Sequence, residues 1–242
     1  MREFAEIWTY LSRDPLLWLT LTLVAYGIGD ALFKASGRRP YVNPVLIAVA
    51  LLAIALRVSD TPYATYFEGA QFVHFMLGPA TVALAVPLYA NLPRVRAVVL
   101  PMLAALVTGS VVAMASAVAI AAALGVPADI LLSLAPKSAT APVALGVSET
   151  IGGSPTLTAV LVILTGMTGA IVATPLLNLL RIRDWRARGF AVGVASHGIG
   201  TARAFQVNET AGAFAGIGMG LNALLTALIA PLLAPWLIAL LS

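Results

Sequence analysis

Residues 136–153 combine a lysine, a glutamate, several hydroxyls and two prolines between two long apolar stretches. In a bilayer every backbone group needs a hydrogen-bond partner, so irregular backbone survives only inside protein or beside a water-filled cavity. Ionisable side chains at that depth are costly and usually line the path of a solute or an ion. The segment therefore predicts a transport site.

A short helix inside this segment has the chemistry of an anion site. Pro142 suits its first turn, where the missing N–H costs nothing, and the glycine pair at 152–153 suits its end. The amides and the dipole at a helix N-terminus attract negative charge. We expect a helix of about ten residues that begins near residue 141 inside the membrane. Three side chains would add donors or charge there: Lys137, Ser138 and Thr140.

A second segment, around Gly78-Pro79, predicts a similar short helix that ends near residues 91–93, with Thr81 in its first turn. Two helix N-termini that face one cavity would suit a small carboxylate. The alternative is that these prolines only kink spanning helices and that Lys137 extends to the membrane interface. His74 is interpreted as a structural or interfacial histidine.

Residues 196–203, Ser-His-Gly-Ile-Gly-Thr-Ala-Arg, form the other polar group in an apolar stretch. A histidine changes charge near neutral pH, and an arginine can hold a carboxylate with two hydrogen bonds. Glu149 or His197 could carry a coupling proton, whereas Glu149 and Glu209 could equally pair with Lys137 or Arg203 structurally. The candidate binding residues here are His197, Gly198, Gly200, Thr201 and Arg203.

Composition places these motifs in a membrane protein. The chain of 242 residues is 60% hydrophobic and 10% charged, with a mean hydropathy of +0.97. Soluble domains carry about 25% charged residues. Residues 97–128, 150–180 and 210–242 contain no charged side chain, and each run exceeds the roughly 20 residues that span a hydrocarbon core. With the shorter apolar runs 16–29 and 44–56, they predict an all-α, polytopic helical membrane protein.

The basic residues predict how the chain crosses. They cluster at residues 34–39, 94–96 and 181–188, and the positive-inside rule places all three clusters in the cytoplasm. The runs 97–125 and 156–180 already supply two crossings between the second and third clusters. Residues 129–154 must then enter and leave by the same face or cross twice, which favours a re-entrant or unwound element.

Other classes of function are disfavoured. The chain has no cysteine, and its sequence shows no metal-ligand spacing, nucleophile elbow or phosphate loop. We therefore expect no enzyme activity, no metal and no cofactor. The net charge of +4 reflects basic loops and does not indicate nucleic acid. Residues 4–14 predict a short interfacial helix within an N-terminal segment, 1–14.

Repetition and small residues bear on assembly. Residues 77–87 resemble residues 134–145, and paired proline-interrupted segments are typical of repeat-built transporters. We expect candidate repeats at 43–125 and 129–241, in inverted orientation. Small residues recur every fourth position in 109–125 and at Gly212, Gly216 and Gly220. They predict close helix packing, either within one subunit or in a homodimer.

The motifs together closely resemble the LrgB/CidB family over nearly the whole chain. Besides 136–153, they are Leu-Val-Ile-Leu-Thr-Gly at 161–166, His-Gly-Ile-Gly-Thr-Ala-Arg at 197–203, Met-Gly-Leu-Asn at 219–222, and residues 78–89. The resemblance implies a single LrgB-like integral domain, 1–242, in a bacterial cytoplasmic (inner) membrane.

The resemblance implies two kinds of function. Bacterial members are described as antiholin-like regulators of murein hydrolase export and autolysis, with a separate holin-like LrgA/CidA partner. The plant relative is a plastidial glycolate/glycerate translocator, and other relatives are linked to pyruvate or acetate. Our first hypothesis is a carrier of small monocarboxylates (glycolate, glycerate, lactate or pyruvate), and the second is a regulator that does not transport.

For the carrier we expect alternating access of an elevator-like kind. A bundle of broken elements (78–90, 134–153 and 196–206) would move against a scaffold that includes 16–33 and 43–57.

Overall fold

The computed structural model describes residues 14–39, 41–76, 79, 82, 89 and 92–241. Every regular element in those residues is a helix, which confirms the all-α prediction. The chain divides into two compact units after residue 81. The predicted interfacial helix at 4–14 falls almost wholly outside the described residues, as do Thr81 and most of the segment around it.

The first unit contains α1 (Pro15–Ala35), α2 (Pro44–Val58) and α3 (Tyr63–Phe75). Asp14 and Asn43 cap the N-termini of α1 and α2. Each of these helices begins with a proline, whose missing N–H would have no partner within the helix at that position. Trp18 of α1 is fully buried. Its ring packs edge to face on that of Tyr66 of α3, with 5.8 Å between the ring centroids. α1 therefore lies against both shorter helices of this unit.

The second unit contains the two polar motifs. Its helices are α4 (Leu92–Arg96), α5 (Val99–Ala123), α6 (Ala128–Leu134), α7 (Ala141–Thr150), α8 (Pro155–Leu179), α9 (Trp185–Val207) and α10 (Glu209–Leu241). Among the described helices, α1, α5, α8 and α10 are long and apolar enough to cross a membrane, and α2 is a shorter apolar helix. The chain is thus a multi-pass membrane protein, as its composition predicted.

The relative directions of the three long helices α5, α8 and α10 define two ends of this unit. Met102 of α5 packs near the start of α10, against Phe214, whereas Val118 of α5 packs near its end, against Ala230. α5 and α10 therefore run in the same direction. Residues 93–97 share a cavity with residues 183–186, so both basic clusters lie at one end, which we call the basic end. α8 runs from the opposite end towards it.

The first broken element is a hairpin of α6 and α7 that enters from the end opposite the basic end. Leu131 packs with Val118 of α5, while the carbonyl of Ser138 reaches Asn222 near the middle of α10. α7 then returns alongside α8: Ala144 packs on Val162. At ten residues, α7 is about 15 Å long, half the thickness of a hydrocarbon core. The predicted re-entrant element is thus present, and its tip is residues 135–140.

The second broken element is α9, which folds back on itself at Ser196 and His197. His197 has φ +40° and ψ −138°, a conformation outside the helical region. Val192 before the break and Ala204 after it pack in one buried cluster with Ala211. This hairpin enters from the basic end, where hydrogen bonds from the side chain and backbone of Arg186 lower the pKa of the capping Asp184 carboxyl below its ordinary value.

Close helix packing occurs at only one of the three α10 glycines that we expected, and also at a glycine of α9 that we did not expect. A Cβ added at Gly193 of α9 would collide with the backbone of Ala215 in α10, and one at Gly212 would collide with Phe205. At Gly216 and Gly220 an added Cβ would meet nothing within 4 Å. The predicted face of Gly212, Gly216 and Gly220 is therefore tight only at Gly212, and the closest α9–α10 approach uses glycines of α9.

Candidate functional site

The tips of the two hairpins converge on the middle of α8 and α10. Ala139 in the first tip lies in one buried cluster with Val162, and the His197 ring in the second tip is bonded to the carbonyl of that same residue. Val162 lies eight residues into the 25-residue helix α8. Two elements that enter from opposite ends therefore meet at the side of α8, away from both ends of that helix.

A buried asparagine fixes the first tip. Asn222 of α10, 1% exposed, donates from Nδ2 to the carbonyl oxygen of Ser138 over 3.1 Å. Its Oδ1 accepts from the Ser110 hydroxyl of α5 over 2.5 Å. Both polar ends of the amide are thus satisfied away from water, as buried polar groups require. The tip is tied to both parallel long helices at once.

The second tip is fixed through His197, which is 4% exposed. Its Nε2 lies 2.8 Å from the Val162 carbonyl oxygen. Because a carbonyl can only accept, Nε2 carries the proton and Nδ1 is the acceptor nitrogen of the neutral ring. Thr201, one turn on, donates its hydroxyl to the His197 carbonyl over 2.8 Å. The glycines around it make room: a Cβ at Gly166 would lie 2.6 Å from the imidazole.

The N-terminus of α7 offers fewer donors than we expected. Pro142 has no N–H, and the N–H of Val143 is already bonded to the Thr140 carbonyl over 3.0 Å. The Thr140 side chain stands at the N-cap but makes no capping hydrogen bond. The attraction for an anion at this tip comes chiefly from the Ala141 amide, the helix dipole and Lys137.

Lys137 lies near residues of both tips and also lines a groove. Its Nζ lies 3.4 Å from the Ser138 hydroxyl and within electrostatic range of the His197 ring. The groove, of about 460 Å³, runs between the first tip, α8 and the first half of α9. Lys137 is the one charged residue in its lining, which also includes Ser196 of the second tip.

Several predicted site residues lie apart from the tips. Glu149 is exposed at the far end of α7, about 13 Å along the helix from Thr140, so the structure places it away from the first tip. Arg203 lines a small cavity with Arg188, which lies towards the basic end of α9. Glu209 is exposed at the start of α10. The expected grouping of His197, Thr201 and Arg203 thus holds only for the first two.

The remaining predicted residues are placed as follows. Gly198 follows the break with space beside it, since an added Cβ would find only the Met219 sulfur, at 3.7 Å. Gly200 is buried, and a Cβ there would lie 2.5 Å from the Cβ of Ser196. Thr81 and the side chain of His74 lie outside the described residues. Among the described residues no group of histidines and acids could hold a metal ion.

Asn222, Ser110 and Ser196 are the residues that sequence reasoning missed. A single asparagine in the charge-free run 210–242 was the available signal, because an amide in an apolar span needs a protein partner.

Comparison with known proteins places the sequence in a family. The model of the LrgB-like family matches residues 22–236, which include both hairpins, the whole of α5 and α8, and most of α1 and α10. The chain belongs to the LrgB-like family.

Its LrgB relatives are similar along most of their length. The chain is 36% identical to "Uncharacterized protein YxaC" of Bacillus subtilis over 84% of this chain and 88% of the relative. It is 35% identical to "Uncharacterized protein YwbG" of the same organism, over 83% and 89%. It is 32% identical to "Antiholin-like protein LrgB" of Bacillus mycoides, over 85% and 90%. No solved structure is significantly similar to the chain.

Proposed function

We propose that this LrgB-like protein is a carrier of small monocarboxylates of the glycolate, glycerate, lactate or pyruvate class. The observation that carries the proposal is the meeting of two half-depth hairpins, from opposite ends, at Val162 and near Asn222. A protein that only assembles in the membrane has no need of irregular backbone and a lysine at that depth. A carrier needs both.

The proposed site uses the positive groups at the tips. Lys137, the N-terminal end of α7 and the hydroxyls of Ser138 and Thr140 bind the carboxylate. His197, backed by Thr201, accepts a coupling proton at Nδ1, because Nε2 is held by Val162. Gly198 and Gly200 shape the second tip. Glu149 and Arg203, which lie away from the tips, take no direct part.

The order of elements supports alternating access. A long helix followed by a half-depth hairpin occurs twice, as α5 with α6–α7 and as α8 with α9, in opposite directions. We propose that these are inverted repeats, spanning 99–150 and 155–207 rather than 43–125 and 129–241. Each hairpin opens the site to its own face, in an elevator-like cycle. The basic end is cytoplasmic in a bacterial inner membrane, and the working form is a homodimer.

The second candidate is a regulator that restrains a holin-like partner. It is favoured by the name of several relatives, "Antiholin-like protein LrgB". Under this alternative the tips are structural, and the partner is a separate membrane protein.

Exchange in proteoliposomes separates the two candidates. Purified protein should take up labelled lactate when unlabelled lactate is inside the vesicles, and much less when the vesicles are empty, because a carrier exchanges bound solute across the membrane. Protein-free vesicles and vesicles that contain an unrelated membrane protein are the controls. Uptake equal to those controls for all four acids would reject the carrier and favour the regulator.

A further inference from the structure

The groove beside Lys137 bears on which monocarboxylates the carrier takes. Its wall consists mainly of Leu, Val and Ala side chains from α8 and α9, with Thr165 and Thr168 as the hydroxyls of α8. We infer that the groove takes the alkyl end of the substrate while Lys137 takes its carboxylate, so the carrier prefers apolar acids to hydroxylated ones. This inference rests on the proposed function and adds to it an order of preference among small monocarboxylates, according to how many hydroxyls they carry.

Lys137 lacks an anionic partner within the described protein. All the carboxylate side chains of the chain except Glu3 and Glu6 belong to the described residues, and none of those described pairs with it. The chain has one other lysine, Lys34, which pairs with Asp30 at 2.6 Å on the surface of α1. A cation at membrane depth without a carboxylate is expected to be neutralised by a bound anion.

The two hydroxyls that α8 contributes to the wall already donate within their own helix. Thr165 donates to the Leu161 carbonyl over 2.7 Å, and Thr168 donates to the Leu164 carbonyl over 2.8 Å. Neither hydroxyl proton is therefore free to be donated to a substrate in the groove. A substrate hydroxyl placed there would exchange hydrogen bonds with water for poorer ones, and a hydroxyl left unpaired is disfavoured.

The size of the groove fits an acid with an apolar chain. Its volume of about 460 Å³ lies within the range of about 300–1,000 Å³ typical of small-molecule sites. Each methylene moved from water to an apolar wall improves binding by about four-fold. An alkyl chain therefore adds affinity in this groove, whereas a chain of hydroxyls does not.

Three acids with three carbons test the inference directly. Propionate, lactate and glycerate differ in having none, one and two hydroxyls, so their competition against labelled butyrate on the purified protein isolates the cost of each hydroxyl. We expect propionate to bind most tightly and glycerate most weakly, with about a ten-fold loss per hydroxyl. Lys137→Met should weaken all three by about ten-fold or more, Lys137→Arg should retain most binding, and Lys34→Met should bind like the unaltered protein.

Other outcomes of this experiment would overturn the inference alone, or the inference together with the proposed function. If glycerate binds as tightly as propionate, or if Lys137→Met binds like Lys34→Met, the inference is wrong, although exchange of lactate would still support a carrier. If only long-chain acids such as dodecanoate bind, the groove holds a lipid chain and the inference fails. If none of the acids binds or exchanges, the proposed function fails with it. Competition by propionate, lactate and glycerate on the unaltered protein tests the preference for apolar acids even if Lys137→Met does not fold.

Discussion

Asn222→Leu is expected to reduce monocarboxylate exchange by about ten-fold or more while the protein stays folded. The leucine keeps the size of the side chain but removes both hydrogen bonds, to the Ser138 carbonyl and from the Ser110 hydroxyl. The first hairpin tip then loses its hydrogen bond to α10 and, through Asn222, its polar link to α5. Since a displacement of about 1 Å can change the rate of a positioned reaction by about a hundred-fold, loosening this tip should strongly affect a site built on it.

Stability should change much less than exchange. Hydrogen bonds between membrane helices contribute about 0.6 kcal/mol each on average, so Asn222→Leu should lower the unfolding free energy by about 1–2 kcal/mol. Ser110→Ala is the matched control, because it removes one bond and leaves the Asn222–Ser138 bond in place. Exchange should fall only slightly in that variant. Equal exchange by the Asn222→Leu and the unaltered proteins would show that the tip is not part of the transport site.

Gly193→Val is expected to destabilise the second hairpin more than any other single change discussed. Even a Cβ at this position would collide with the carbonyl group of Ala215, so α9 and α10 must separate. Overpacking of a close contact costs about 1–3 kcal/mol, and a branched side chain against rigid backbone should reach the upper part of that range. Thermal unfolding in detergent, followed by circular dichroism, measures the effect as a lower midpoint.

Gly216→Ala is the control for this prediction. Gly216 is also a helical glycine of the α9–α10 region, but an added Cβ would meet nothing within 4 Å. Alanine favours helix by about 1 kcal/mol over glycine, so this variant should unfold at the same or a higher temperature. A midpoint for Gly193→Val equal to that of Gly216→Ala would contradict the close approach of α9 to α10.

The long helices and the first hairpin were largely predictable from sequence. The charge-free run 150–180 contains the whole of α8, because charged residues are excluded from the hydrocarbon core. α7 begins at Ala141 and lasts ten residues, as Pro142 and the following glycines predicted. The need for two crossings between basic clusters also predicted that residues 129–154 would turn back.

The second hairpin and the asparagine bridge were less accessible from sequence. The break in α9 falls at His197, which adopts positive φ although glycines follow at 198 and 200. Tertiary contacts with Val162 and Gly166 fix that conformation, and no local pattern encodes them. Asn222 was visible as a polar residue in an apolar run, but its partners lie 112 and 84 residues away in the chain. Pairings at such separations depend on how the helices pack.

The central claim is that the two tips form one site that opens to each face of the membrane in turn. The chain has no cysteine, so Ser138→Cys and Gly198→Cys can be labelled singly. Gly198 is preferable to Gly200, because its added Cβ meets only the Met219 sulfur at 3.7 Å. Membrane-impermeant thiol reagents should reach both cysteines from either face, in right-side-out and inside-out vesicles, and saturating lactate should slow both reactions. If each cysteine reacts from one face only, at a rate that lactate does not change, the alternating-access account is contradicted.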